Sequence, residues 1–266
     1  MTDMRSADPP IQFSFGANWQ KFAKGVNEEV IRFAEASFVE FTGLKDLRGH
    51  TWLDVGSGSG LSSLVAYRLG ARRVVSIDID ERSVECTRRL RALHPGDNWE
   101  VLSGSVLDRD FMRSLGRFSF VYSWGVIHHT GAMWEALENL VERVEEKGFL
   151  HLAIYNEAPS SERWKMVKQW CNRLPLVLPL ATYGWFALLM VNKFVRGRSI
   201  LGELREYRTR RGMSLIRDVE DWMGGLPYEY CRPERMLTAL ERHGFVEQKV
   251  RTTTGIGCNE FLHRRV

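Results

Sequence analysis

Three glycines and two acids carry the first chemical signal in this chain. Gly56, Gly58 and Gly60 alternate with Ser57 and Ser59 directly after the apolar run Trp52–Val55, which contains one acid, Asp54. A glycine turn after such a run commonly seats a nucleotide, and its neighbours decide which. The dinucleotide pattern G-x-G-x-x-G needs its third glycine at position 61, which is Leu61. A P-loop closes on Gly-Lys-Ser/Thr, and this turn does not. Asp54 instead sits two residues ahead of the first glycine. A carboxylate beneath the turn repels a pyrophosphate and attracts a cationic amino group or sulfonium. Asp78 ends the next strand in "VVSIDID", where an acid suits the two hydroxyls of a ribose. Asp80 is placed to cap the helix that follows. Together these residues point to a nucleoside that carries a positive charge.

A second cluster lies in "SWGVIHHTG". Ser123 and Trp124 fall at the carboxyl end of a strand, the edge where open α/β sheets bind ligands. His128 and His129 titrate near neutral pH in water, so either is a candidate to take a proton from a hydroxyl or amine. The plainer reading is that each ring bonds backbone at the start of the next helix. His129 is the chosen catalytic candidate, with His128 beside it as a substrate contact. Neighbouring histidines facing different ways make poor metal ligands, and no metal is expected. Tyr155 and Asn156 close the following strand, where they orient a substrate or where Asn156 caps a helix. Trp19, Phe13 and Phe15 precede the first helix and either line the site or pack in the core.

Those residues must be held by elements that the patterning supplies. Val30, Phe33, Ala34, Phe38 and Phe41 keep helical spacing until Gly43. After that, strands and helices alternate: "TWLDV", "LSSLVAYRLG", "RVVSID", "ERSVECTRRLRAL", "WEVLSG", "DFMRSLG", "FSFVYSW", "MWEALENLVERV" and "GFLHLAIYN". Alternation at this pitch means right-handed crossovers and a mostly parallel sheet covered on both faces. Near the C-terminus, Pro233 opens a helix that Gly244 ends, and "FVEQKVRTTT" with "EFLHRR" reads as a hairpin. One strand of that hairpin must therefore run antiparallel to its neighbours.

The successive motifs "LDVGSGSG", "VVSIDID", "GSVLD" and "FVYSWGVIHHTG" resemble those of class I S-adenosylmethionine-dependent methyltransferases. Within that class, "WGVIHHTG" and the N-terminal "FSFGANW" resemble small-molecule enzymes near those acting on polyprenylated phenols and benzoquinols. The resemblance covers about Trp52 to Asn156 and resumes in the C-terminal helix and hairpin. It implies a three-layer Rossmann-like sandwich with a seven-stranded sheet in the order 3-2-1-4-5-7-6, strand 7 antiparallel. It implies S-adenosylmethionine as cofactor, held by Asp54, Gly56, Ser57, Gly58, Gly60, Asp78, Ile79, Ser105, Val106, Ser123 and Trp124. The position that contacts adenine, commonly Asp, is Ser105 here, which leaves the Val106 N–H or nearby Asp108 for that contact. The N-terminal segment with Trp19 is expected to fold over the cofactor as a lid.

The expected organisation is a lid and helix over 1–48, a cofactor-binding core over 49–156, a helical insertion over 157–232 and a closing helix and hairpin over 233–266. Within the insertion, "LPLVLPLATYGWFALLMVN" carries no charge and has basic flanks. A spanning helix needs about 20 apolar residues. Pro175 and Pro179 are expected to break the first turns, leaving a helix from Leu180 that is too short to cross. The favoured role is a cap over the substrate pocket, followed by a membrane surface or a second copy of the chain. Residues 1–10 carry two acids and two prolines, unlike a signal peptide, and the four cysteines form no CxxC pair. The cytoplasm, peripheral to the membrane if the apolar run engages one, is the expected location. A formal charge of +4 among 37 basic and 33 acidic residues is too even for a dedicated nucleic-acid binder. The expected activity is methyl transfer to an O, N or S atom of a small, hydrophobic or lipid-like metabolite. RNA or protein methylation, and a non-catalytic nucleoside-binding module, are the competing readings.

Overall fold

A computed structural model describes residues 26–94, 96–174, 176–197 and 215–266, together with Gly16, Ser199, Gly202 and Tyr207. Trp19, Phe13 and Phe15 lie outside the described residues.

Seven strands form one sheet in the order β3-β2-β1-β4-β5-β7-β6. They span Thr51–Val55 (β1), Arg73–Asp78 (β2), Trp99–Ser103 (β3), Phe118–Trp124 (β4), Val144–Tyr155 (β5), Phe245–Arg251 (β6) and Cys258–Arg265 (β7). The β1–β2, β1–β4, β2–β3 and β4–β5 pairs are parallel, while β7 runs antiparallel to β5 and β6. The antiparallel hairpin and the strand order are as expected. β1 is buried at every position, Asp54 included, because helices cover both of its faces.

The covering helices are α1 (Glu28–Thr42), α2 (Leu61–Arg68), α3 (Glu81–Ala92), α4 (Arg109–Ser114), α5 (Met133–Val141) and α9 (Pro233–Arg242). Side chains alternate across the sheet, so Leu53 and Val55 enter one core with Val75, Leu137 and Met236. Trp52 enters the other with Phe38, Leu64 and Phe120. Asp54 shares the Trp52 face, under α2. Helix α1 starts where the Asn27 side chain accepts the Val30 N–H, and ends at Gly43 with φ of 74°.

Two boundaries differ from the sequence reading. The helix expected through Val144 stops at Val141, and β5 begins at Val144 rather than Gly148. The Arg143 guanidinium donates to the carbonyls of Arg113 and Gly116, which turns the chain out of the helix, and Val144 then pairs with Phe118 in the sheet.

The second difference is in the insertion, built from α6 (Ser161–Arg173), α7 (Val177–Val195) and α8 (Leu215–Gly224). Helix α7 starts at Val177 and runs through Pro179, where a break had been expected. A proline in the first turn lacks only an N–H that has no helical partner anyway. Met190, Leu215, Val219 and Met223 give the insertion a core of its own, against which Trp164, Trp185 and Trp222 pack.

Candidate functional site

The carboxyl ends of β1, β2, β4 and β5 meet at one edge of the sheet. The glycine turn leaves β1 there, and Gly56, Gly58 and Gly60 have φ of 76°, 55° and 82°. Left-handed backbone at three alternate residues is inexpensive only for glycine. Gly56 has a packing reason besides: a Cβ there would lie 2.4 and 2.5 Å from the two methyls of Val126. The N–H groups of Gly56 and Ser57 both donate to the Ile77 carbonyl at 2.9 and 3.0 Å, which pins the turn onto β2. Ser57 adds a side-chain contact to Thr87 of α3, 3.1 Å between the hydroxyls.

Beneath the turn lies Asp54, only 2% exposed. Its Oδ2 accepts the Ser63 hydroxyl at 2.6 Å. With the Ser63 proton committed, the Ser76 hydroxyl must donate to Ser63 at 2.6 Å, and the Trp99 indole donates to Ser76 at 2.8 Å. Three donors in series thus point at one carboxylate, each polarising the next. Burial nevertheless pushes Asp54 up to about 7, the Ser63 bond pulls against it, and the charge of Asp78 pushes further. A cation above the turn would favour the ionised form. None of the relay was visible in the sequence, because Ser63, Ser76 and Trp99 come from α2, β2 and β3.

Asp78 lies 20 residues beyond Gly58, whose N–H it accepts at 2.9 Å on Oδ2; Oδ1 accepts the Asp80 N–H at 2.9 Å. Each carboxylate oxygen retains a lone pair for a further donor, which fits paired ribose hydroxyls. Burial raises its pKa, and those two backbone bonds oppose the rise. Ile79 beside it is 59% exposed, an aliphatic face at the strand tip that a nucleoside base would cover. Asp80 caps α3 through the Arg82 N–H as expected. Its second oxygen accepts the N–H of Gly16 at 3.0 Å. The one described residue of the N-terminal segment therefore lies across the tip of β2.

Around the β3 tip, the Ser105 hydroxyl accepts the Leu107 N–H, and Asp108 caps α4 through the Phe111 N–H. Both side chains are occupied by local backbone, which leaves the main chain at Val106 for an adenine edge. Ser123 and Trp124 point to opposite faces of β4. The Ser123 hydroxyl is fully buried and has no hydrogen-bond partner among the described residues. The Trp124 indole donates to Glu260 of β7 at 2.6 Å. The three left-handed glycines, the Asp78 lone pairs, the orphaned Ser123 hydroxyl and the bare Ile79 fit an adenosyl cofactor with an amino-acid tail over Asp54.

The two histidines have separate tasks. His128 is 1% exposed, and its Nδ1 accepts the Tyr155 N–H at 3.3 Å, so the proton sits on Nε2. Its ring braces the turn after β4 against β5. The substrate contact expected of His128 gives way to this bracing role. His129 remains part-exposed, and its Nδ1 donates to the Pro227 carbonyl at 2.7 Å. A carbonyl only accepts, so the neutral ring carries its lone pair on Nε2. Burial lowers His129 to about 3, with the Pro227 bond opposing and the charge of Lys168 adding to the fall.

The Asn156 side chain caps no helix among the described residues and is taken up by the β6–β7 turn. It is 6% exposed, its Nδ2 donates to the carbonyls of Thr253 and Gly255 at 2.9 Å, and its Oδ1 accepts from Asn259. It ties the end of β5 to the β6–β7 turn. A hairpin 100 residues away offers carbonyls that a sequence reading cannot place. The Tyr155 ring lies 4.0 Å from His128, 5.4 Å from His129 and 5.1 Å from Tyr228 between centroids.

The segment from Leu226 to Cys231 returns from the insertion along this cluster. Besides the Pro227 carbonyl, the Glu229 N–H donates to His128 O at 2.9 Å, and both Glu229 oxygens accept the Met133 N–H. Glu229 so caps α5, whose preceding residue, Ala132, has no side-chain cap. Lys168 of α6 completes the wall. It is fully buried, donates to the Trp222 carbonyl, and lies 4.8 Å from the Trp222 and Tyr228 rings and 6.0 Å from Tyr155. Burial pulls its pKa to about 7. Helix α7, expected as the cap, packs on α6 and α8; the returning segment and Lys168 are what reach the histidines.

Residues 26–193 match a family described as a methyltransferase domain. Among curated proteins, a ribosomal protein L11 methyltransferase of Clostridium perfringens is 28% identical over 37% of this chain and 37% of its own length. The chain thus spans little more than a third of that relative. Magnesium protoporphyrin IX methyltransferase from Synechocystis PCC 6803, solved with bound SAH, superposes with a TM-score of 0.52 at 15% identity, over 98% of this chain and 90% of that one. An S-adenosylmethionine-dependent methyltransferase from Mesorhizobium loti gives 0.54 at 14% identity over 87% and 98%. At such identities the likeness is one of fold.

Proposed function

This chain belongs to the methyltransferase-domain family, and we propose that it is an S-adenosylmethionine-dependent methyltransferase whose acceptor is an O, N or S atom of a small, hydrophobic metabolite. The observation that carries the acceptor class is the ring cluster after β4 and β5, where Tyr155 lies 5.4 Å from His129 and 5.1 Å from Tyr228 between centroids and the returning segment 226–231 is hydrogen-bonded to the histidine turn. That surface suits an aromatic or aliphatic body with one reacting heteroatom.

When bound, the cofactor supplies an electrophilic methyl on a sulfonium, which is the hard part of the chemistry. The chain supplies position and dryness. Gly56, Gly58 and Gly60 let the backbone approach closely, Asp54 places a negative charge beneath the amino-acid end, and Asp78 receives the ribose. Holding the acceptor in line with the methyl contributes several kcal/mol. His129, its ring fixed by Pro227, is the group that takes a proton from a hydroxyl acceptor. With its pKa near 3 it stays neutral at working pH and drives that transfer only weakly. An acceptor that is already ionised, or a thioether or tertiary amine, needs no base.

Radiolabelled methyl transfer from S-adenosylmethionine into lysate pools separated as lipid, small molecule, RNA and protein tests the assignment. Label is expected in the lipid or small-molecule pool. Label confined to protein or RNA would overturn the acceptor class, and absence of S-adenosylhomocysteine binding by calorimetry would overturn the cofactor assignment.

A further inference from the structure

One face of helix α7 is exposed along its length. Leu176, Leu180, Tyr183, Ala187, Val191 and Phe194 recur at spacings of three and four and are all exposed, Leu180 by 71% and Phe194 by 70%. Only Thr182 and Met190 of its 19 residues are buried. On the adjoining α6, Met166 and Trp170 are 52% and 61% exposed, one turn apart. So many exposed large apolar residues on two neighbouring helices are uncommon on a chain that meets only water.

The charge around this face identifies what covers it. From residue 163 to 202 the chain has seven cations and no acid, although its 37 basic and 33 acidic residues are otherwise nearly balanced. Arg163, Lys165, Arg173 and Arg196 in this stretch are exposed. They stand on α6 and at the two ends of α7. An apolar helix face framed by cations matches an anionic lipid surface: acyl chains below, phosphates at the rim. It does not match a second copy of the same face, because two such faces would bring like charges together.

Length and hydropathy alone would let α7 cross a bilayer. Its packing argues otherwise. Its inner side is joined to α6 and α8 through Met190, Leu215, Val219 and Met223, and α8 carries Asp218, Glu220 and Asp221. Carrying α7 across would drag those acids into hydrocarbon. We propose that the exposed face of α7, with Met166 and Trp170 of α6, lies in the plane of an anionic membrane surface. This goes beyond the methyl-transfer reading and stands without it. If that reading holds as well, the acceptor is drawn from the lipid phase beside the wall formed by His129 and Tyr155.

Co-sedimentation of the full chain with vesicles tests this. The chain is expected to pellet with vesicles of equal parts phosphatidylcholine and phosphatidylglycerol, and to remain in the supernatant with phosphatidylcholine alone. Leu180→Glu with Phe194→Glu should weaken that binding about a hundredfold. Arg173→Gln with Arg196→Gln should weaken it about tenfold, and added salt should reproduce the loss. Both variants should bind S-adenosylhomocysteine as the parent does, which separates a failed surface from a failed fold or a failed cofactor assignment. Absence of vesicle binding by the parent overturns the proposal. So does equal binding by the glutamate variant, or a solution dimer that the glutamate pair dissociates without any vesicle binding.

Discussion

The Nδ1–H of His129 and the carbonyl of Pro227 are 2.7 Å apart across 98 residues of sequence. One belongs to the turn after β4 and the other to the segment returning from the insertion, so the insertion sets the tautomer and direction of a ring that the sheet alone would leave to rotate.

Replacing His129 with alanine is expected to lower kcat on a hydroxyl acceptor by less than the roughly 10²–10⁴-fold of a base matched to the working pH, with S-adenosylhomocysteine affinity unchanged by calorimetry. Because burial holds the ring near 3, the acid limb of the parent's pH–rate profile should lack a step near 6.5. Full activity of the alanine variant would remove His129 from the reaction.

Asp54 makes the ligand-free fold sensitive to pH. Its folded pKa, about 7, lies above the ordinary carboxylate value, so the stability it contributes is complete below about pH 4 and is lost as pH rises through 7. That loss amounts to about 1.4 kcal/mol for each pH unit crossed between the unfolded and folded values. Asp54→Asn should remove the slope and raise the ligand-free melting temperature above pH 7. The same variant should bind S-adenosylmethionine about tenfold more weakly, because the charge beneath the amino-acid end is gone. Denaturant titrations across pH 4–8 beside calorimetry check both; a variant with the parent's slope would show that Asp54 is ionised throughout.

Gly56 tolerates no side chain, for two reasons that a double variant can separate. Gly56→Ala carries about 1–2 kcal/mol from the left-handed backbone and a clash with both Val126 methyls. Adding Val126→Ala should relieve the clash and leave the backbone cost. Melting temperatures of the two variants decide it: an unchanged loss in the double variant would mean that conformation alone matters.

Lys168 has the opposite linkage to Asp54. Burial lowers it to about 7, so its unfolded form binds the extra proton, and stability is gained as pH rises from about 7 towards 10. Lys168→Met should therefore be more stable than the parent near pH 7, with the gap closing at higher pH. A gap that does not move with pH would mean that the amine is deprotonated throughout.

The sequence by itself determined the glycine turn and the placement of the acids around it. Asp54, the three glycines, Asp78 and the cap at Asp80 are local to single strand–turn–helix units, and their conformations follow from short-range sterics and hydrogen bonds. A mostly parallel sheet and the closing hairpin were equally legible from the alternating elements, while the strand order was what the motifs' resemblance to a known family implied. What only the tertiary structure decided is which side chains the fold spends on itself. Asn156 staples a hairpin, His128 braces β5, and Ser63, Ser76 and Trp99 converge on Asp54, all through contacts between elements distant in sequence. The insertion shows the same limit. Its composition was plain, but whether α7 caps the pocket or faces outward depends on which of its sides Met190 turns towards α8. A period of 3.6 residues gives a helix its faces, and only the packing of its neighbours chooses among them.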